Sequence, residues 1–401
     1  MSRIVFLSAA YLGAASANGI CAGNIVEALR SMGHDVHVIC YEETTAALSL
    51  ETEKIHTVKK PEPPKSAGVA VEKALRLLHS FITPELNQEL IAAYYHTLCR
   101  LHTEKPVDAV VAMYFPLESA QALYQFKKAA PEVKTILYEL DSVGDGVADF
   151  RFRALQEGAY KRWHSRIYRH IDKIVIMQSH KQYWRQTFGD ALYKKCMIAD
   201  IPVLSEKPRG ESCGNVSMLY AGLIGKRYRD PSYLLSVLRL LEKSLDYTFE
   251  FYSKGDCEQA ISEVAQTVKG IHQKGYVPQD ELEQGILKAD ILVSIGNSIS
   301  RSVPSKIITY LSYGKPIIHF SSQKQDVCNE YFEQYPLALV IEQSMPVEQA
   351  CSRICEFVRQ TRGKTLPFEQ VKLRFPKNDP VFSARAIAAY VEEKDTRVLA
   401  E

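Results

Sequence analysis

Lys306 stands in the first turn of a short apolar helix opened by Pro304, in the stretch PSKIITYLSYGKPIIHF (304–320). The positive end of the helix dipole is there, so a lysine is locally unfavourable. Either the side chain points into water, or it shares an anion with the helix start. The residues around it favour the anion. Asn297, Ser300, Arg301, Ser302 and Ser305 form a small, polar run between a strand end and that helix, and Thr309 lies one turn beyond on the same face. Pro304 suits a first helical turn, where free backbone N–H groups hold phosphate oxygens. A second basic group follows a different strand: in LYAGLIGKRYRDPSYLL (219–235), Gly222 and Gly225 permit close backbone approach, and Lys226, Arg227 and Arg229 precede a helix at Pro231. Glycines, cations and a helix start make a diphosphate cradle. A solvated basic loop is the alternative. On the first view Lys226 and Lys306 converge on one diphosphate.

Other chemistry-bearing residues are fewer. Gly275, Tyr276 and Val277 offer exposed peptide groups that would read the edge of a base, or they simply link a strand to a capped helix. In YELDSVGDG (138–146), Glu139 and Asp141 close a strand, and a carboxylate there would deprotonate an acceptor hydroxyl or cap a turn. Tyr114 and Phe115 offer aromatic faces to a ligand or serve as plain strand-end aromatics. The loop 13–19, with Gly13, Asn18 and Gly19, leaves room for a ligand and opens a helix without the strict dinucleotide fingerprint. His34, His37 and His164 are most simply surface or core histidines.

These residues need elements to hold them, and the chain supplies a regular series. Short, nearly continuous apolar runs at 4–8, 35–41, 108–114, 134–140 and 173–177 alternate with helical segments at 19–32, 86–103, 117–129, 150–170 and 179–187. Runs of that kind are strands covered on both faces, and the alternation gives a parallel sheet. After a linker rich in Pro, Gly and Ser at 202–215 the pattern restarts with VSMLYAG, YTFEFYS, GIHQKGYV, DILVSIG, KPIIHF and LALVIE. The expected architecture is α/β: two doubly wound Rossmann-like domains, 1–205 and 206–378, with a cleft at the carboxyl ends of their strands, and a last helix in 379–401 packing back on the first domain. Residues 43–68 read as a loop, and 68–82 as an amphipathic helix, either packed or touching a membrane surface.

Composition narrows the class. The 401 residues are too many for one typical core. Lys plus Arg number 49 and Asp plus Glu 47, which argues against a nucleic-acid binder. The nine cysteines match no zinc spacing and read as reduced core thiols of a cytoplasmic protein. No apolar run approaches ~18 residues, so a transmembrane span is not expected.

The order of these blocks resembles the GT-B glycosyltransferases, in particular the bacterial family-4-like, group 1 type enzymes. The similarity rests on IVFLSAAYLGAASANGICAGNIVEALRSMGHDVHVICYE, DKIVIMQSHKQYW, LYAGLIGKRYRDPSYLLSVLRLL, HQKGYVPQDELEQGILKADILVSIGN and VPSKIITYLSYGKPII. It implies a nucleotide-diphosphate sugar as donor, bound mainly by the second domain, and a saccharide or lipid-linked acceptor bound mainly by the first. It implies no resident cofactor or metal, a retaining outcome, and a place in capsule or exopolysaccharide synthesis, in the cytoplasm or at the inner face of the membrane. The family's phosphate-binding basic residue and lysine fall near Leu223 and on Lys226, and its two glutamates on Arg301 and Thr309. Both acids are therefore replaced. That departure keeps two other readings open: a catalytically silent binding partner of another transferase, and a nucleotide-sugar epimerase.

Overall fold

The computed structural model describes residues 1–11, 16–41, 52–60, 83–141, 153–210, 214–297, 303–323 and 326–393. The chain divides into two units, 1–203 with 377–401, and 204–376. Among the described residues no helix is long and apolar enough to cross a membrane.

The first unit is built on β1 (Arg3–Leu7), α1 (Ala17–Ser31), β2 (Asp35–Tyr41), β3 (Ile55–Val58), α2 (Gln88–Glu104), β4 (Ala109–Met113) and α3 (Leu117–Ala129). It continues through β5 (Lys134–Glu139), α4 (Arg153–His170), β6 (Lys173–Met177), α5 (Lys181–Tyr193) and β7 (Cys196–Ala199). The strands form one parallel sheet in the order β3-β2-β1-β4-β5-β6-β7. Every residue of β1 and β4 is buried, as helices on both faces require. Two strands were not anticipated. β3 lies within the stretch read as a loop, because its single edge pairing with β2 leaves it with a half-polar sequence, IHTV. β7 is only four residues long. The amphipathic segment 68–82, read as packed or touching a membrane surface, lies outside the described residues.

The second unit holds β8 (Val216–Ile224), α6 (Ser232–Leu241), β9 (Tyr247–Gly255), α7 (Glu258–Ala265), β10 (Ile271–Gln273), α8 (Gln279–Lys288) and β11 (Ile291–Ile295). Then come α9 (Ser305–Ser312), β12 (Ile317–Ser321), α10 (Asn329–Glu333), β13 (Ala338–Glu342), α11 (Val347–Thr361) and α12 (Phe368–Arg374). Its parallel sheet runs β10-β9-β8-β11-β12-β13. Chain order reverses between β8 and β11, which makes their carboxyl ends the switch point where such sheets take ligands. Gly314 (φ 66°) stops α9, and its carbonyl accepts from Leu366 N–H at 2.7 Å.

Helix α13 (Pro380–Val391) belongs to the first unit. Asp379 caps it by accepting from Val381 N–H at 2.9 Å, with Pro380 opening the first turn. It packs on α1 and is tied to the sheet by Tyr138 and Ser383 hydroxyls 2.8 Å apart. Lys134 Nζ donates to Tyr390 and Val391 carbonyls at 3.2 and 3.1 Å, which satisfies the helix's last acceptors.

Candidate functional site

Strand β8 outruns one of its neighbours. It pairs with β9 as far as Ile224, but with β11 only as far as Tyr220. From Ala221 onward β8 is no longer paired with β11, and side chains bond its backbone. Ala221 N–H donates to the Tyr310 hydroxyl at 2.8 Å, and that hydroxyl sits 3.4 Å from Ala221 O. Leu223 O accepts from the Tyr220 hydroxyl at 3.0 Å and from Arg229 Nη1 at 3.4 Å. Between them Gly222 adopts φ 147°, a conformation open to glycine and strained for other residues.

Lys306 lies against that glycine. A Cβ placed on Gly222 would be 3.8 Å from Lys306 Cδ, ordinary van der Waals contact, so the lysine stem runs alongside the glycine. Lys306 is half-buried, and burial first, then the nearby Arg229 charge, push its pKa down to about 8. The two cations disfavour each other's charge in the free protein. Arg229 is held in place: the turn 225–229 closes with Arg229 N–H donating to Gly225 O at 2.7 Å, and Arg229 Nε donates to Asn297 Oδ1 at 2.6 Å. Asn297 lies two residues past the end of β11 and is 8 % exposed. Gly222, Arg229, Asn297 and Lys306 are thus gathered at the switch point, together with Ser305, which opens α9.

The remaining cations behave differently. Lys226 and Arg227 occupy the exposed tip of the turn, the Lys226 N–H donates to Asp256 Oδ1 at 2.9 Å, and the Arg227 guanidinium lies 5.5 Å from the Tyr228 ring centroid. Arg229, rather than Lys226, is the cation whose charge acts on Lys306. Thr309 turns its hydroxyl to Ser305 O at 3.3 Å. Gly275 has φ 73°, Val277 is half-buried, and Tyr276 projects with 76 % of its surface exposed. Ser300, Arg301 and Ser302 lie outside the described residues, as does Gly13 in the first unit. Sequence reading passed over Tyr220 and Tyr310. Their signal is faint, two tyrosines inside otherwise aliphatic runs, where a buried phenol needs a hydrogen-bond partner.

In the first unit the structure redistributes the expected roles. Tyr114 turns into the core. It is 3 % exposed, and its hydroxyl meets His164 Nε2 at 2.6 Å, while His164 Nδ1 is 2.6 Å from Tyr160 O. That histidine is fully buried, and burial pushes its pKa down to about 4. Phe115 is half-buried and packs edge-on against Tyr114. Glu139 turns inward as well: it is 2 % exposed, with one carboxylate oxygen taking the Tyr168 hydroxyl and the other the Trp184 Nε1–H at 3.0 Å. Burial pushes its pKa up to about 7 against the opposing pull of those two bonds. Asp141, two residues on, is half-buried, and its charge reaches Cys21 on α1 and Tyr114. Asn18 is half-buried at the start of α1, and Gly19 is buried there, because a Cβ would come within 2.9 Å of Ala10 Cβ.

Among the described residues one group has donor atoms close enough for a metal ion, His319, Asp326 and Cys328, all buried and within 4.8 Å of one another. They already serve each other. His319 Nε2 pairs with Asp326 Oδ2 at 3.2 Å, and Cys328 N–H donates to Asp326 Oδ1 at 3.0 Å, which pins the segment after β12. Asp326 Oδ2 also occupies the space a Cβ on Gly296 would need.

Residues 19–181 match the family model of the glycosyl transferase 4-like domain. No curated protein matches the sequence. Solved structures match over nearly the whole chain. A glycosyltransferase from Rickettsia africae has a TM-score of 0.63 at 13 % identity, with 98 % of this chain and 99 % of that one covered. Anabaena HepE in complex with UDP-glucose has 0.63 at 11 %, covering 98 % and 100 %. The pneumococcal O-GlcNAc transferase GtfA in complex with UDP and GlcNAc has 0.62 at 11 %, covering 98 % and 99 %. At such identities the likeness is one of fold.

Proposed function

We propose that this chain, which has the GT-B fold and a glycosyl transferase 4-like first domain, moves a sugar from a nucleotide-diphosphate donor to a hydroxyl of a carbohydrate or lipid-linked acceptor. The observation that carries the proposal is the pairing of Lys306 with Arg229 beside Gly222 at the switch point of the second sheet. In the transfer the bond from the anomeric carbon to the diphosphate oxygen breaks, and its electron pair leaves with the nucleotide. The two cations and the amides opening α9 stabilise that growing charge. The acceptor oxygen bonds to the anomeric carbon. Its proton goes to Asp141 or to a phosphate oxygen of the leaving group. Asn18 and Gly19 would line the acceptor side, Gly275, Tyr276 and Val277 the base, and Arg301 with Ser300 and Ser302 the sugar or phosphate. Retention of configuration, cations in place of a metal, and a cytoplasmic role in bacterial surface polysaccharide synthesis are parts of the same reading.

The direct test is titration of the protein with UDP and GDP, followed by transfer and hydrolysis assays on a panel of UDP-, GDP- and CMP-sugars. Binding that is lost in Lys306→Ala and Arg229→Ala supports the site. Unchanged affinity in both variants refutes it. A second reading, a silent nucleotide-binding partner of another transferase, is favoured by Thr309, whose hydroxyl is engaged with Ser305 O where the family places a carboxylate. Binding without turnover on any sugar nucleotide would select it.

A further inference from the structure

We infer that Tyr310 is a positioning residue for the anion site, bonding the backbone of β8 where its pairing with β11 ends and so fixing Lys306 beside Gly222. The inference rests on the nucleotide-diphosphate reading above. Backbone N–H and C=O groups on a strand edge must find partners. Past Tyr220, the pairing of β8 with β11 ends. The Tyr310 hydroxyl accepts the Ala221 N–H at 2.8 Å and lies 3.4 Å from the carbonyl of the same residue. Tyr310 is 1 % exposed, so water does not reach this edge to take over.

The geometry gives that bond a second consequence. Tyr310 is one helical turn after Lys306 on α9, on the same face. The helix that carries the lysine is therefore bolted to the strand that carries Gly222, with the bolt one residue away from it. On the other side of Gly222, Arg229 Nη1 bonds Leu223 O. Both cations take their placement from one three-residue segment of β8, anchored at Ala221 by Tyr310 and at Leu223 by Arg229 and Tyr220. Without the phenol hydroxyl, the Ala221 N–H is left unpaired in a buried place. The segment would then shift toward another partner, changing the gap in which the lysine stem lies.

The test is Tyr310→Phe in the full chain, which keeps the ring and removes only the hydroxyl. Affinity for UDP, GDP and inorganic pyrophosphate is measured by calorimetry across pH 6 to 10, alongside thermal unfolding, with about these limits set by the Lys306 titration. The expected result is a loss of affinity of about tenfold for the probes that bind the wild type, together with a displaced pH midpoint of binding. A role in stability alone would lower the unfolding temperature and leave both the affinity of the folded protein and its pH midpoint where they were. That outcome overturns the inference while the nucleotide reading stands. Failure of the wild type itself to bind any of the three probes overturns the nucleotide reading, and this inference with it.

Discussion

Arg229 Nε donates to Asn297 Oδ1 at 2.6 Å, joining the turn after β8 to the segment just past β11 across the point where strand order reverses. An amide oxygen orients the guanidinium without cancelling its charge. Asn297→Ala should free Arg229 and weaken UDP or GDP binding by about three- to tenfold. Asn297→Asp should hold Arg229 at least as firmly and still weaken binding, because it adds a negative charge beside the phosphates. Calorimetric titration of the three proteins checks this, and an aspartate variant that binds better than the wild type contradicts it.

The pH dependence of nucleotide binding follows from Lys306. Its free-state pKa, held near about 8 by burial and by Arg229, would rise when a diphosphate arrives. Affinity should be flat below that value and fall as pH climbs above it, by up to about tenfold per pH unit while binding takes up one proton. Lys306→Met should flatten the profile between about pH 8 and 10.

The same lysine costs stability in the free protein. Its folded pKa lies below the ordinary 10.5, so the unfolded chain holds the proton more tightly. Stability should therefore increase as pH rises from about 8 toward 10, with the full cost present below 8. Lys306→Met should be more stable than the wild type by about 1–3 kcal/mol near neutrality, and the difference should shrink by pH 10. Urea unfolding at both pH values reads it directly.

Glu139 carries the opposite sign. Burial raises its pKa from 4.5 to about 7, so between those values the folded state keeps a proton that the unfolded state has lost. Stability contributed by the protonated acid is complete below pH 4.5 and declines as pH rises to 7. Glu139→Gln keeps one oxygen to accept from Trp184 Nε1–H and turns its amide N–H to the Tyr168 hydroxyl oxygen, as the protonated acid would, and it should remove that slope. The gain near pH 8 should be on the order of 2 kcal/mol, and the catalytic parameters should keep their pH profile. A variant with unfolding curves parallel to the wild type from pH 5 to 8 would show that Glu139 is already ionised.

Much of this was legible in the linear chain. Runs such as RIVFL and ILVSI have no polar face, so only a parallel sheet covered by helices on both sides accommodates them, and their alternation with amphipathic segments gives the strand–helix series. The edge strand β3 escaped because an edge needs no such purity. Candidate residues at strand ends were legible by position. Their directions were not: Tyr114 and Glu139 end strands as expected, yet both turn into the core, where His164, Tyr168 and Trp184 meet them.

By itself, the order of residues determined two α/β sheets and cations gathered after the first strand of the second and at the start of a late helix, and it led to an expected boundary between 205 and 206, since periodicity and glycine placement are local properties. Only the tertiary structure decided that Arg229 rather than Lys226 acts on Lys306, and that Tyr310 bonds the strand beside them. Those choices depend on β8 and β11 being neighbours and on how far one outruns the other. Both are consequences of strand order and register, which bring together side chains some eighty positions apart.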